Sequence, residues 1–463
     1  MKKVGIIGGG FSGTMAAVHL IENATHAIEI IIVNDQENFN KGVAFNPYSK
    51  QFLLNVPTVK MSAFADHPEH FLNWVMSQKE YAQKDKNIVA HSFLPRHLYG
   101  QYLSEIWNTT IQSQKAKRHK IHVINDVVGD LELSHESILL TLKKGESICV
   151  DRCIIASGNL SPNNPNIINQ SFYKSKNYYR NPWEKPSVTD LSSSWPVLIV
   201  GNGLTMVDTV LGLLENNFNH KIISISPNGF NILPHRHSGL KYDKFIAELD
   251  NDASLPEIVK LFNKHIKLIR EFGLSAEPII DSLRPQTQHI WQRLSVDEKK
   301  LFMSRLRHLW GVARHRIPLH IHDKIQQLRI DDRLIIYAGK LKDIHEDTDG
   351  IKVSFYNKKN KQDETICVSR VINCTGPETN LQRLEDNFLK KCLAKGVVCQ
   401  DELKLGIEAN PNTFRVKSKD GIEHQNLFTL GSNLKGVLWE STAVNELRSQ
   451  ASVLSKEVLS TIA

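Results

Sequence analysis

The chain has 463 residues, of which 41% are hydrophobic and 23% charged. That composition can bury substantial apolar cores, excludes disordered, collagen-like and coiled-coil classes, and at roughly 100–200 residues per domain implies two or three domains. Lys and Arg outnumber Asp and Glu by 57 to 49, a formal charge of +8 with both signs spread along the chain, which favours small anionic ligands at least as much as nucleic acid.

Lys2 and Lys3 followed by the apolar run from Val4 to Leu20 imitate a secretory signal. Gly8, Gly9 and Gly10 interrupt the run and no small-residue cleavage site follows, so the segment reads as structure. Val4–Ile7 is a β-branched strand, Gly8-Gly9-Gly10-Phe11-Ser12-Gly13 a turn, Thr14–Glu22 a helix and Ile28–Val33 a second strand. This is a βαβ opening. The pattern recurs at Val197–Val200, Gly201-Asn202-Gly203, the helical Leu204–Leu214 and the strand Ile222–Ile225.

Between the two copies, His122–Val128, Ser137–Leu142 and Ile148–Ala156 alternate as an antiparallel meander. A matching meander is expected at Leu334–Ala338, Ile351–Tyr356 and Ile366–Asn373, and each ends in a small-residue turn, Ala156-Ser157-Gly158-Asn159 and Cys374-Thr375-Gly376-Pro377. Tyr242 to Trp310 is helical, broken at Gly273 and Pro285, and too regular for a linker. Glu440–Leu459 is helical again. The expected fold is α/β, with two Rossmann-like dinucleotide-binding domains, antiparallel β-meanders and a helical insertion. Residues 1–190 and 346–463 are expected to form an FAD-binding domain, 191–235 and 311–345 an NAD(P)H-binding domain, and 236–310 the insertion.

Gly8-x-Gly10-x-x-Gly13 has the dinucleotide spacing: the first glycine permits a tight turn, the second lets backbone approach a pyrophosphate, and the third lets helix and strand pack closely. The ribose-binding acid belongs at the end of the next strand, where Asn34 and Asp35 stand. In the second copy Gly201 and Gly203 are present, Leu204 and Thr205 open the helix, and Met206 replaces the third glycine. No arginine for a 2′-phosphate stands at Ser226-Pro227-Asn228-Gly229, although Arg236 is near enough to substitute.

The chain resembles the two-dinucleotide-domain flavoproteins, most closely the bacterial FAD/NAD(P)-binding family related to flavin monooxygenases. The resemblance runs over nearly the whole length through Gly42-Val43-Ala44-Phe45, Leu53-Leu54-Asn55-Val56-Pro57, Met61-Ser62-Ala63-Phe64, Pro95-Arg96-His97-Leu98-Tyr99-Gly100, Gly201 to Asp208, Trp310 with Arg314-His315-Arg316, Asn373 to Gly376, and Leu438 to Val444. It implies FAD in the first module, closed over by Leu430-Gly431-Ser432-Asn433 and a helix near Glu440, with NADH or NADPH docked by the second. Asn55 to Pro68 is similar to the flavin-facing loop of flavin-containing monooxygenases. Further cofactor contacts are expected at Val56, Met61, Val128, Ser157, Gly158, Thr375, Gly376 and Thr442, and pocket-facing catalytic groups at Asn55, Arg96 and Glu440.

The chain departs from the N-hydroxylating and Baeyer–Villiger groups, which carry F-x-G-x-x-x-H between the modules. The nearest run here, Phe172 with Lys174 and Tyr178, lacks both glycine and histidine. The six cysteines form no C-x-x-C or C-x₄-C pair, which removes a disulfide reductase and suits a reducing, cytoplasmic setting.

His315, His320 and His322, or His235 and His237, lack a third or fourth ligand at zinc spacing; no metal is expected. Arg314 and Arg316 read instead as contacts to a pyrophosphate or carboxylate. No G-x-S-x-G elbow follows a strand, and Lys115–Lys120 is the only compact basic run, so neither a hydrolase nor a nucleic-acid binder is expected. No stretch is long enough to span a membrane. The expectation is an FAD- and NAD(P)H-dependent oxidoreductase, monooxygenase-like and acting on a small amine or amino-acid-like substrate, with oxygen or another acceptor. The alternatives are an NAD(P)H oxidase or electron-transfer reductase, and a non-catalytic flavin sensor or scaffold.

Overall fold

The computed structural model describes residues 1–35, 37, 39–134, 136–191, 195–236, 240–348 and 350–462. Strand β1 (Lys2–Ile7) lies inside a six-stranded sheet of order β15-β16-β7-β1-β2-β3, formed with β2 (Ile28–Asn34), β3 (Lys120–Asn125), β7 (Arg152–Ile155), β15 (Arg415–Lys417) and β16 (Glu423–Thr429). Its five strands from β16 to β3 are parallel, with Ile7 level with Val33 and Ile155, and Ile155 level with Thr429. The four chain turns that follow these residues therefore leave the sheet along one edge. Because both faces are covered, β1 is apolar throughout its inner part rather than alternating. Val4 and Ile6 pack with the helices Phe11–Asn23, Arg96–Gln112 and Val444–Ser460, while Ile7 packs with the helix Phe388–Ala394 and the three-stranded meander β4 (Val128–Leu133), β5 (Ile138–Leu142) and β6 (Ser147–Val150).

Here the structure corrects the expected meander. Residues 120–125 join the parallel sheet as an edge strand, and 148–156 is two strands, β6 and β7, separated at Asp151. Asp151 explains the break: it accepts from the Lys3 N–H and pairs with the Lys2 ammonium, turning the chain from meander to parallel sheet.

The second sheet has the order β13-β12-β11-β10-β9-β14-β8, from β8 (Tyr178–Tyr179), β9 (Val197–Val200), β10 (Ile222–Ser226), β11 (Leu334–Asp347), β12 (Gly350–Asn357), β13 (Gln362–Val368) and β14 (Arg370–Asn373). Strand β11 runs nine residues beyond the expected Ala338: its start pairs in parallel with β10 and its continuation pairs antiparallel with β12, so meander and parallel sheet share one strand. The strands of 350–373, assigned by the sequence analysis to the first module, hydrogen-bond into this second sheet. The expected strand Ile366–Asn373 is likewise two, β13 and β14, which meet at Ser369.

The insertion runs from Asp243 to Arg314 as six α-helices, four residues beyond the expected end. Gly273, at φ +68°, closes the longest of them, Leu255–Arg270, where an L side chain would be strained. The insertion reaches the first module through Trp291 on the helix Thr287–Arg293, which stacks on Trp439 at 4.9 Å and donates its indole N–H to the Gly436 carbonyl at 2.7 Å. The C-terminal helix starts at Val444, after a turn in which Glu440 holds a φ of +69°. Among the described residues no helix is long and apolar enough to cross a membrane.

Candidate functional site: two glycine turns at the strand ends

Gly8 follows β1, and its N–H donates to Val33 at 2.9 Å while the Ala156 N–H donates to Ile7 at 2.8 Å. In the second sheet Gly201 donates to Ile225 at 2.9 Å and Cys374 to Val200 at 2.8 Å. The same stitch thus joins three strand ends in each module, at the point where strand order reverses and ligands of open α/β sheets bind. Gly8 and Gly201 have φ of +100° and +113°, and a Cβ on either would stand 2.4 Å from a backbone carbonyl, that of Ala156 or Cys374.

Gly10 and Gly203 behave differently. Each caps its helix with φ of −74° and −100°, values open to any residue, and without a side-chain cap bond. A Cβ on Gly10 would meet nothing nearer than Gly42 Cα at 3.5 Å, and one on Gly203 would meet nothing within 4 Å. Neither backbone geometry nor packing calls for glycine at these two points. A dinucleotide phosphate approaching the helix start does, because it would occupy the space of the Cβ and take up the free N–H groups there. The residues present therefore fit an FAD pyrophosphate at Gly10, Phe11, Ser12 and Gly13, and a nicotinamide dinucleotide at Gly203, Leu204 and Thr205.

The remaining sequence-predicted residues divide into those at the cleft and those spent elsewhere. Gly158 and Thr442 line a cleft with Pro377, Ser432 and Lys435, so both small-residue turns and the 431–442 segment converge there. A Cβ on Gly431 would touch Ser12 Oγ at 3.2 Å, which brings the C-terminal segment against the first turn. Ser157 donates to Asn433 Oδ1 at 3.1 Å. Thr375 donates its N–H and hydroxyl to Asn373 Oδ1, leaving Gly376 at φ +93° with open space around it.

Asn34 Oδ1 accepts from the Gly9 N–H at 2.7 Å, so the amide braces the glycine turn, whereas Asp35 is exposed. Val128 and Met61 are buried in the hydrophobic cores and Val56 packs against one of them. Asn55 offers its carbonyl to the His235 ring N–H at 2.9 Å, and burial lowers the pKa of His235.

Arg96 is also accounted for. Its Nη2 lies 2.9 Å from Asp208 on the helix Leu204–Glu215 and its Nε donates to the Leu53 carbonyl, while Phe52 and Trp183 flank the guanidinium. Burial raises the Asp208 carboxyl and Arg96 pulls it back. The pair bolts the two modules together, a role invisible in sequence because the partners are 112 positions apart. Arg236 pairs with Glu277, and Arg316 with Asp281.

Glu440 is buried. Its Oε1 accepts from the Trp310 indole at 2.8 Å and its Oε2 lies 3.0 Å from Arg314. Burial alone would raise this carboxyl, but Arg314, His315, the Trp310 bond and Arg284 bring it below the ordinary value. These contacts from the insertion pin a residue in a backbone region that disfavours side chains.

All six cysteines are free, and burial pushes the Cys374 thiol up to about 12. No cluster among the described residues could hold a metal; His237 lies outside them.

Residues 5–160 match the FAD-NAD(P)-binding family. No curated protein matches the chain. Among solved structures, ornithine N-hydroxylase from Kutzneria sp. 744, with reduced FAD, NADP+ and L-ornithine, superposes with a TM-score of 0.66 at 14% identity over 100% of this chain and 98% of that one. L-lysine 6-monooxygenase from Pseudomonas syringae gives 0.65 at 12% identity over 100% of both chains. Thioredoxin reductase from T. acidophilum gives 0.51 at 11% identity, again over 100% of both. The protein has the two-dinucleotide-domain flavoprotein fold.

Proposed function

We propose that the chain is an FAD-dependent oxidoreductase of the cytoplasm that draws electrons from NADH or NADPH, and a monooxygenase acting on a small amine or amino-acid-like substrate with oxygen as acceptor. The observation that carries the reading is the pair Gly10 and Gly203, glycines that the fold itself does not require at the starts of two helices. The family match over residues 5–160 and the hydroxylase-like fold over the full chain support it. In this reading residues 1–190, with the C-terminal segment from 374, hold FAD, and the second sheet docks the nicotinamide.

When bound, FAD supplies the two-electron chemistry. The chain's own residues orient and enclose. The helix starts present N–H groups to phosphates, Asn34 and Asn433 brace the strand ends, and the insertion shields the turn at Glu440. Arg314 and Trp310 hold the Glu440 carboxylate in place two residues before Thr442, which lines the cleft. An oxidase or electron-transfer reductase is the second reading, favoured by the missing glycine and histidine near Phe172.

Spectroscopy tests the proposal. The purified protein should be yellow or take up FAD, and NADH or NADPH should bleach it in stopped flow. Peroxide yield with and without candidate amines and amino acids then separates monooxygenase from oxidase. Gly10→Val should eject FAD, whereas Gly203→Val should keep FAD and lose reduction by nicotinamide; equal loss of flavin in both would contradict the division of labour.

A further inference from the structure

Gln450 is an amide set into the apolar core of the first module. It lies on the helix Val444–Ser460 and is 4% exposed, and Ala451, Leu454 and Val458 on the same helix pack in the core that also holds Ala16, Ala17 and Leu20 of the helix Phe11–Asn23. Ser455 ties the two helices directly by donating to the Ala16 carbonyl at 3.1 Å. The helix that begins at the first glycine turn and the helix that carries Gln450 are therefore packed as one unit. A side-chain amide costs stability in such surroundings unless its oxygen and nitrogen are both engaged.

They are engaged by the two ends of one short segment. The Gly431 N–H donates to Gln450 Oε1 at 3.0 Å, Gln450 Nε2 donates to Ser441 Oγ at 2.8 Å, and the Ser441 hydroxyl donates to the Gly431 carbonyl at 2.6 Å. Three buried residues thus close a ring in which each both donates and accepts. Removing one member leaves a buried donor or acceptor unpaired.

The ring holds Gly431 at φ +79°, where an L side chain is strained and where a Cβ would come within 3.2 Å of Ser12 Oγ in the first glycine turn. Two residues on, Asn433 is tied to the strand ends, donating to Thr429 Oγ1 at 3.1 Å and accepting from Ser157 at 3.1 Å. Ser432, between these two anchored residues, lines the cleft with Gly158 and Thr442, and its Oγ is buried without a hydrogen-bond partner. A buried hydroxyl with nothing to bond calls for an explanation, and a ligand in the adjoining cleft supplies one.

We propose that Gln450 is a positioning residue for the cofactor: by closing the ring it sets the Gly431 turn and delivers the Ser432 hydroxyl to FAD held at Gly10 to Gly13. The proposal rests on the flavoprotein reading above and adds to it a residue that touches no ligand and belongs to none of the glycine motifs.

The test is fluorescence titration of the full chain, stripped of flavin, with FAD, alongside urea denaturation of the ligand-free protein. Gln450→Met, which keeps the length of the side chain and removes both bonds, should raise the Kd for FAD about tenfold, and Ser441→Ala, which opens the same ring, about fivefold. Ser432→Ala should weaken FAD about tenfold by itself. Because Gln450 acts through Ser432, adding Ser432→Ala to Gln450→Met should raise Kd by less than about threefold more, and a full product of the two single effects overturns the proposal. An unaltered Kd in Gln450→Met overturns it as well, even if ligand-free stability falls, since a residue that serves only the fold weakens the free and bound forms alike. If Gln450→Met does not fold, Ser441→Ala and its combination with Ser432→Ala carry the same comparison. A wild-type chain that takes up no FAD sinks the flavoprotein reading and this role with it, whereas a wild-type chain that binds FAD no better than the ring variants sinks only the role of Gln450.

Discussion

In the first sheet Gly8, and in the second Gly201, stand one residue past a central strand and against the carbonyl of the first residue after the neighbouring strand, Ala156 or Cys374. From there the two turns diverge. Gly13 lies under Gly8, so close that a Cβ would come within 1.9 Å of the Gly8 carbonyl, whereas its counterpart Met206 buries a full side chain in the core of the second module. Two positions further on, Met15 is core in the first helix and Asp208 is a buried acid in the second, where it holds Arg96 from the first module. The comparison separates the motif into parts: the first glycine serves the sheet, the second serves a ligand, and the third serves one particular helix approach.

The largest effect should come from breaking the tight copy. Gly13→Ala should cost on the order of 5 kcal/mol, because the obstacle is backbone and cannot swing away; chemical denaturation measures it, and a cost below about 1 kcal/mol would refute the packing account. Next is the buried bolt. Asp208→Ala leaves the Arg96 charge without its partner and should destabilise by about 3–5 kcal/mol, with part of the loss recovered when Arg96→Met is added. If the double variant is no better than the single one, the pair is not coupled as described.

A smaller effect should appear with pH. Burial lowers the pKa of His235 below 6.5, so the unfolded chain takes up the proton first as pH falls. The stability from the neutral ring is complete above the unfolded value and is lost below it. Tm should fall by about 1 °C between pH 7.5 and 5.5 through this group, and more shallowly in His235→Gln; equal slopes would remove His235 from the account. The smallest effect is expected at the second glycines. Gly10→Ala and Gly203→Ala should change ligand-free stability by less than about 0.5 kcal/mol, and a loss of 2 kcal/mol in either would return that glycine to the fold and withdraw the main support for cofactor binding.

Much of this organisation was legible in residue order. Gly8 to Gly13 and Gly201 to Gly203, each between a β-branched strand and a periodic helix, announced two βαβ modules, and the breaks at Gly273 and Pro285 outlined the insertion. These features are local, since strand and helix periods and the backbone freedom of glycine are written over a few consecutive residues. What remained hidden was every relation between distant segments. That 120–125 is a parallel edge, that 350–373 belongs to the second sheet, and that Arg96 is committed to Asp208 all depend on which surfaces meet. A charge in a sequence has a sign but no partner; only the folded chain decides which charges meet, as it does for Arg96 and Asp208.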